Sequence, residues 1–175
     1  LSCIQIRKNL HETAFFFPYL KTDTNGNVSF SFTMPEALTR WKLQLLAHTK
    51  ELASTTKTLT TVTQKELMVL PNPPRFLREG DVLQFSSKIS NLSTKALNGV
   101  AQLVLTDAIS GKDITKMVID RSRNDLQNFM VAAKGNTRVH WTLTIPNNVQ
   151  AVQYKIVAKA GEFSDGEQNV LPVLS

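Results

Sequence analysis

Short runs in which apolar and polar residues alternate recur at roughly ten-residue spacing along this chain, and that recurrence restricts it to an all-β fold. Successive side chains of a strand point to opposite faces, so period two marks a sheet with one buried face. The pattern predicts strands over residues 14–20, 28–34, 41–48, 52–62, 66–70, 82–90, 99–106, 117–119, 129–133, 139–145, 151–159 and 169–173. The clearest pair flanks Pro35. Val28, Phe30, Phe32 and Met34 alternate with Ser29, Ser31 and Thr33 before it, and Trp41, Leu43, Leu45 and Ala47 form the next apolar face. Proline cannot donate to a ladder, so Pro35 ends the first of these strands.

Asn25-Gly26, Asn98-Gly99, Gly111-Lys112, Gly135-Asn136 and Asp165-Gly166 supply turn chemistry between the runs, since Gly and Asn accept positive φ with little strain. Gly135-Asn136 reads as a hairpin tip and Asp165-Gly166 as a plain turn before the last strand. Leu126, Phe129, Met130 and Ala133 also fit helical spacing, with Ser122 or Asn124 as a cap. Phe129, Val131 and Ala133 fit period two equally well, and a hairpin at Gly135 needs a strand before it. A strand is therefore expected there, with room for a helical turn near residues 124–127. Pro71-Asn72-Pro73-Pro74 is stiff and extended, which places a domain change near Thr63 and Gln64. Two antiparallel β-sandwich units are expected, over residues 1–63 and 64–175.

Composition excludes several function classes. With 42% hydrophobic and 19% charged residues, disorder is disfavoured. No run approaches the roughly 20 apolar residues of a membrane helix, so no direct membrane insertion is expected. The net charge of +6 is spread evenly. Residues 1–63 carry seven Lys plus Arg against four Asp plus Glu, and residues 64–175 carry thirteen against ten, so each part is +3 and no basic face marks a nucleic-acid site. Single lysines such as Lys42, Lys88, Lys155 and Lys159 read as solvated strand faces. Cys3 is the one cysteine, which rules out an internal disulfide framework.

Chemistry-bearing groups do not assemble in the sequence. His11, His48 and His140 lie far apart with no partner at metal-ligand spacing, so no metal site is expected. Cys3 has nothing nearby to lower its pKa and reads as a simple thiol. Asp107, Asp113, Asp120 and Asp125 fall in or beside turns, where aspartate hydrogen-bonds its own backbone, and their spacing does not match a calcium loop. Asn91-Leu92-Ser93 is a glycosylation sequon of a kind common by chance. Phe15-Phe16-Phe17 with Tyr19 reads as core and domain interface, because consecutive apolar residues imply burial on both faces.

Several segments, in order, resemble the α2-macroglobulin and complement family. These are the basic pair Arg7-Lys8, then His11-Glu12-Thr13-Ala14-Phe15-Phe16-Phe17-Pro18, the turn Thr22-Asp23-Thr24-Asn25-Gly26, and Pro35-Glu36-Ala37-Leu38-Thr39-Arg40-Trp41. Further on, Pro73-Pro74-Arg75-Phe76-Leu77-Arg78-Glu79-Gly80-Asp81 is similar to the start of the family's next macroglobulin-like domain. The residues that carry the signature or its packing are Glu12, Thr13, Pro35, Thr39, Trp41, Arg78, Gly80 and Trp141. The resemblance implies two immunoglobulin-like macroglobulin units. Residues 1–63 would be the C-terminal part of a domain split by the bait insertion, and residues 64–175 a complete domain. Low cysteine content is unlike the vertebrate members and points to a bacterial relative. Leu1 in place of Met and the lack of a leader-like segment suggest an excised piece of an extracytoplasmic protein, in the periplasm or at the cell surface.

Gly166-Glu167-Gln168 is similar to the tail of the family's C-G-E-Q thioester motif, in which a thiol and a glutamine side chain form an internal acyl thioester. Asp165 stands where that motif has cysteine, so no thioester, cofactor or catalytic residue is expected here. The resemblance implies a scaffold without chemistry inside a protease-trapping inhibitor. Its partners would be neighbouring macroglobulin-like domains and, through the parent, target proteases, with uncovered strand edges leaving self-association open. The competing reading is an adhesin or carbohydrate-binding sandwich. That reading needs exposed aromatic platforms, whereas Trp41, Trp141, Tyr19 and Tyr154 all lie in apolar strand patterns.

Overall fold

The computed structural model describes residues 1, 4–119 and 124–175, and among these it contains ten strands and one single-turn helix. The chain forms two compact units, Leu1–Lys8 with Gln64–Ser175, and Asn9–Thr63. The break at Thr63 and Gln64 falls where the proline-rich stretch begins its approach. Residues 1–8, grouped by the sequence with the residues that follow them, pack instead with the later part of the chain.

The larger unit is a two-sheet sandwich. Strands β3 (Leu67–Asn72), β5 (Val82–Asn91) and β8 (Asn136–Thr144) form one sheet in the order β3-β5-β8. Strands β4 (Leu77–Arg78), β6 (Leu97–Asp107), β7 (Leu126–Val131), β9 (Ala151–Ala160) and β10 (Phe163–Leu174) form the other, in the order β4-β10-β9-β6-β7. All pairs are antiparallel except β4 with β10. Alternation explains which side chains meet between the sheets. Val139, Trp141 and Leu143 are buried while Arg138, His140 and Thr144 are exposed, and Ala101, Leu103 and Leu105 are the buried members of β6. Trp141 lies opposite Phe85 across the β5–β8 ladder, and the Phe85 ring packs on Tyr154 of the facing sheet at 5.1 Å between centroids. The Trp141 indole N–H donates to the Asp125 carbonyl at 2.8 Å, which satisfies its one polar atom in the core.

Two turn expectations and one strand expectation fail here. Gly135-Asn136 is no hairpin tip, because β7 and β8 belong to different sheets; the link crosses the sandwich, with Lys134 at φ 55°. Residues 117–119 are not a strand. Thr115–Val118 make a helical turn, α1, whose first amide is taken by the Asp113 carboxylate at 2.8 Å. Asn98 and Gly99 lie inside β6, not between strands. A methyl group at Gly99 would sit 2.4 Å from the Lys159 carbonyl and 2.5 Å from the Phe129 ring, so the residue is there for close approach of neighbouring strands. Gly99→Ala is expected to destabilise the sandwich by about 1–3 kcal/mol through overpacking, read from denaturant unfolding. The sequon asparagine is likewise structural. Asn91 is fully buried, its side-chain amide donates to the Lys95 and Ala132 carbonyls, and its oxygen accepts from the Ser93 amide and hydroxyl.

The smaller unit holds one antiparallel ribbon, β1 (Arg40–His48) paired with β2 (Ser54–Val62). Leu52, expected to open the second strand, instead sits in the connecting turn at φ 67°. Residues 14–20 and 28–34 carry no ladder. Their phenylalanines nevertheless cluster: Phe15 meets Phe17, Phe30 and Phe32 at ring distances of 5.0, 5.2 and 4.3 Å. Side-chain pattern alone does not make a strand, since a ladder needs a backbone neighbour in register. Phe16 and Tyr19 are exposed within the unit, contrary to the core expected of the aromatic run.

Candidate functional site

The signature around Pro35 is organised by a residue that the motif does not contain. The Thr63 hydroxyl donates to the Ala37 carbonyl at 2.6 Å and accepts from the Trp41 indole N–H at 2.9 Å, while the Thr63 amide donates to the Thr39 carbonyl at 3.0 Å. Glu36 completes the fastening, because its carboxylate accepts from the Asn9 amide and its own amide donates to the Asn9 carbonyl. Pro35 is buried and Trp41 half-buried, so Trp41 is not the core tryptophan that its strand pattern predicts. Glu12 and Thr13 are exposed on the segment before the aromatic cluster, and the Thr39 side chain is also exposed.

In the larger unit, Arg78 and Gly80 belong to the turn between β4 and β5. The Asp81 amide donates to the Arg78 carbonyl, and Gly80, at φ 78°, donates its amide to the Ile145 carbonyl at 2.9 Å. That positive φ at the third turn position is why glycine stands there. The exposed Arg78 guanidinium lies 5.7 Å over the Phe76 ring. Trp141 is 1% exposed and lies apart from this turn, in the core described above.

The densest polar arrangement in the unit was not legible as a site in the sequence. Asp165, expected in a turn, lies within β10 and is fully buried. Arg7, 4% exposed, grips it with both edges of the guanidinium fork, Nε to Oδ1 at 2.9 Å and Nη2 to Oδ2 at 3.0 Å. Nη2 also donates to the Val69 carbonyl, and Nη1 lies 3.1 Å from Glu167 Oε2. The Val69 amide donates to Asp165 Oδ2, and Lys65 Nζ lies 3.2 Å from Oδ1. Tyr154 hydrogen-bonds Glu167, and burial holds its phenol well above the ordinary range. Backbone bonds align the pieces: the Arg7 amide donates to the Gly166 carbonyl and the Gln168 amide to the Arg7 carbonyl, so residue 7 adds one parallel rung to the edge of β10. An acid, a glycine and an acid inside a strand are each unfavourable there, and that local misfit is the signal that could have exposed the site.

This cluster stores charge but has no reacting group. Arginine cannot serve as a base, and both carboxylates are taken up by donors. Burial pushes the Glu167 carboxyl above its ordinary 4.5, an effect that outweighs the opposing pull of Arg7 and is reinforced by Asp165. A raised folded-state pKa means that the native state holds the proton more tightly than the unfolded chain does. The stabilisation is therefore full below about 4.5 and drains away as pH rises through the raised value. Glu167→Gln should remove this part of the slope, so thermal midpoints of variant and parent, measured across that window, are expected to diverge as the parent ionises. Elsewhere, Asp107 is lowered by the Ser110 hydroxyl and Ile109 amide, and Asp113 by the Thr115 side chain and amide. Both line an open groove beside α1, where they act as turn and cap residues. His11, His48 and His140 are exposed and separate, and no group of three or more His, Cys, Asp or Glu side chains among the described residues could hold a metal. Cys3, Asp120 and Ser122 lie outside the described residues. No helix among the described residues is long and apolar enough to cross a membrane.

Known proteins agree on the family. The chain is 26% identical over 172 residues to Alpha-2-macroglobulin of Thermotoga maritima, which covers 98% of this chain and 10% of that protein. Among solved structures, a crystallised Salmonella alpha-2-macroglobulin variant superposes with a TM-score of 0.57 at 15% identity over 87% of this chain and 10% of its own. The native conformation of E. coli alpha-2-macroglobulin does so at 0.57 and 13% identity, over 87% of this chain and 9% of its own. These two likenesses establish the macroglobulin fold, and the chain spans about a tenth of the length of these relatives. A family model described as Alpha-2-macroglobulin family matches residues 13–103, just over half of the sequence, and the chain therefore belongs to that family.

Proposed function

We propose that this stretch is a scaffold piece of an α2-macroglobulin-like, protease-trapping inhibitor, working outside the cytoplasm as part of a longer chain. Residues 1–63 are read as the C-terminal part of a macroglobulin-like domain split by an insertion, and residues 64–175 as the following complete domain, onto which residues 1–8 fold back. The observation that carries this reading is similarity to Alpha-2-macroglobulin of Thermotoga maritima along 98% of the chain. The character of the polar clusters supports it: both fasten backbone to backbone, and neither pairs a nucleophile with a base. Its partners are then the neighbouring domains of the parent and, through the parent, proteases; no cofactor is needed.

The test uses the parent and the isolated stretch side by side. Protease mixed with the parent should keep its activity on small substrates and lose it on large ones, whereas the isolated stretch should leave both unchanged. With amines or proteases, the stretch should give neither amine incorporation nor a covalent adduct, as read by intact mass. An adduct that depends on Cys3, or inhibition by the stretch alone, overturns the assignment.

A further inference from the structure

Residues 4–8 touch the sandwich in an uneven way. Backbone coupling runs through Arg7, by its amide and carbonyl hydrogen bonds and its one rung, and the Gln5 and Lys8 side chains on either side are exposed. Side-chain coupling is concentrated in two adjacent residues. Arg7 is enclosed by Asp165, Glu167 and the Val69 carbonyl. Ile6 lies directly over Gly166, where a methyl group would come within 2.6 Å of its Cδ1 atom. Glycine in a strand interior marks a place where another chain segment approaches closely, and here that segment is residues 4–8.

The acceptor side is built without help from these residues. Asp165 Oδ2 is held by the Val69 amide, Glu167 by Tyr154, and Lys65 contributes a cation at Asp165 Oδ1. With the arginine absent, Lys65, about one-third exposed, still offsets part of the buried negative charge. Two carboxylates and a backbone carbonyl that converge on separate nitrogens of one side chain suit the fork of a guanidinium and not a lysine ammonium, which offers no paired donors in fixed geometry.

We propose that the edge of β10 is a binding site for an extended peptide in which an aliphatic residue precedes an arginine, with residues 4–8 as its resident and exchangeable occupant. Gly166 admits the aliphatic side chain, Asp165 and Glu167 select the guanidinium, and the carbonyl of Gly166 and the amide of Gln168 fix the strand direction. This is strand addition with a single charged anchor. The resident segment competes as a tethered ligand at high effective concentration, so a free peptide gains access only when the tether is cut or the segment is drawn away. The inference concerns the sandwich edge alone and is independent of protease trapping.

The test keeps the whole chain. A protease site is inserted between Lys8 and Asn9, the folded protein is cut there, and gel filtration asks whether residues 1–8 stay bound. They should co-elute with the sandwich and exchange with excess fluorescent peptide of the same sequence carrying Cys3→Ser. A peptide with Arg7→Ala should compete on the order of a hundredfold more weakly. A peptide with Arg7→Lys should compete far less well than the native sequence, and Gly166→Val in the protein should abolish peptide exchange. Release of the segment on cutting, unfolding of the cut protein, or equal competition by the alanine peptide overturns the proposal.

Discussion

Trp141→Ala should lower the unfolding free energy by about 3–5 kcal/mol, a large share of what an ordinary domain possesses. The side chain is 1% exposed, is the largest fully buried one, and sits against Phe85 at the centre of the β5–β8 ladder. Truncation leaves a cavity between two sheets that cannot close around it, and it removes one of two donors to the Asp125 carbonyl, which keeps only the Leu103 amide. Trp141→Phe separates these contributions, since it keeps most of the volume and loses only the donor; its cost should be about 1–2 kcal/mol. Trp41→Ala offers the contrast. That residue is half-buried and linked to Thr63, so its loss should fall well below that of Trp141 in the same denaturant titration. Equal effects at the two tryptophans would contradict the burial difference.

Arg7→Ala should cost about 3–5 kcal/mol, towards the lower end, because it strands Asp165 at zero exposure with the Val69 amide as donor and the partly exposed Lys65 as countercharge. The size of this loss comes from the charge left behind and not from a strongly favourable pair. Arg7→Ala combined with Asp165→Ala should therefore be less destabilised than the sum of the single variants. A double-mutant cycle with a coupling of at least about 1.5 kcal/mol is expected. Simple additivity would falsify the bidentate arrangement as the main bond between residue 7 and the sandwich. Lys65→Ala, removing a partly exposed cation, should matter much less on its own, and more when Arg7 is also absent.

The two variants probe different kinds of information. Trp141 was recognisable as core from period two alone, because Val139, Trp141 and Leu143 alternate with polar residues and a sheet with one wet face allows no other register. The same logic placed β1, β5, β6, β8 and β9 within a few residues of their observed limits. It also anticipated that Phe30 and Phe32 would share a face, although no ladder forms there. The family was legible for a related reason: its signature is an ordered series of short local motifs, and order survives in a linear text.

Contacts between distant residues left almost no local trace. Whether Gly135 turns a hairpin or crosses between sheets depends on which strand β8 pairs with, and alternation is the same in either case. Gly99 looks like a turn residue until the Lys159 carbonyl and the Phe129 ring are seen to fill the space beside it. Thr63 became the hub of the Pro35 segment only through a carbonyl and an indole more than twenty residues back. Arg7 and Asp165 are separated by 158 residues. Read along the chain, the first is half of a basic pair and the second the start of a turn. Strand periodicity is a property of neighbours and so belongs to the sequence. The pairing of buried charges depends on which groups the finished sandwich shuts away from water together, and only the tertiary structure decides that.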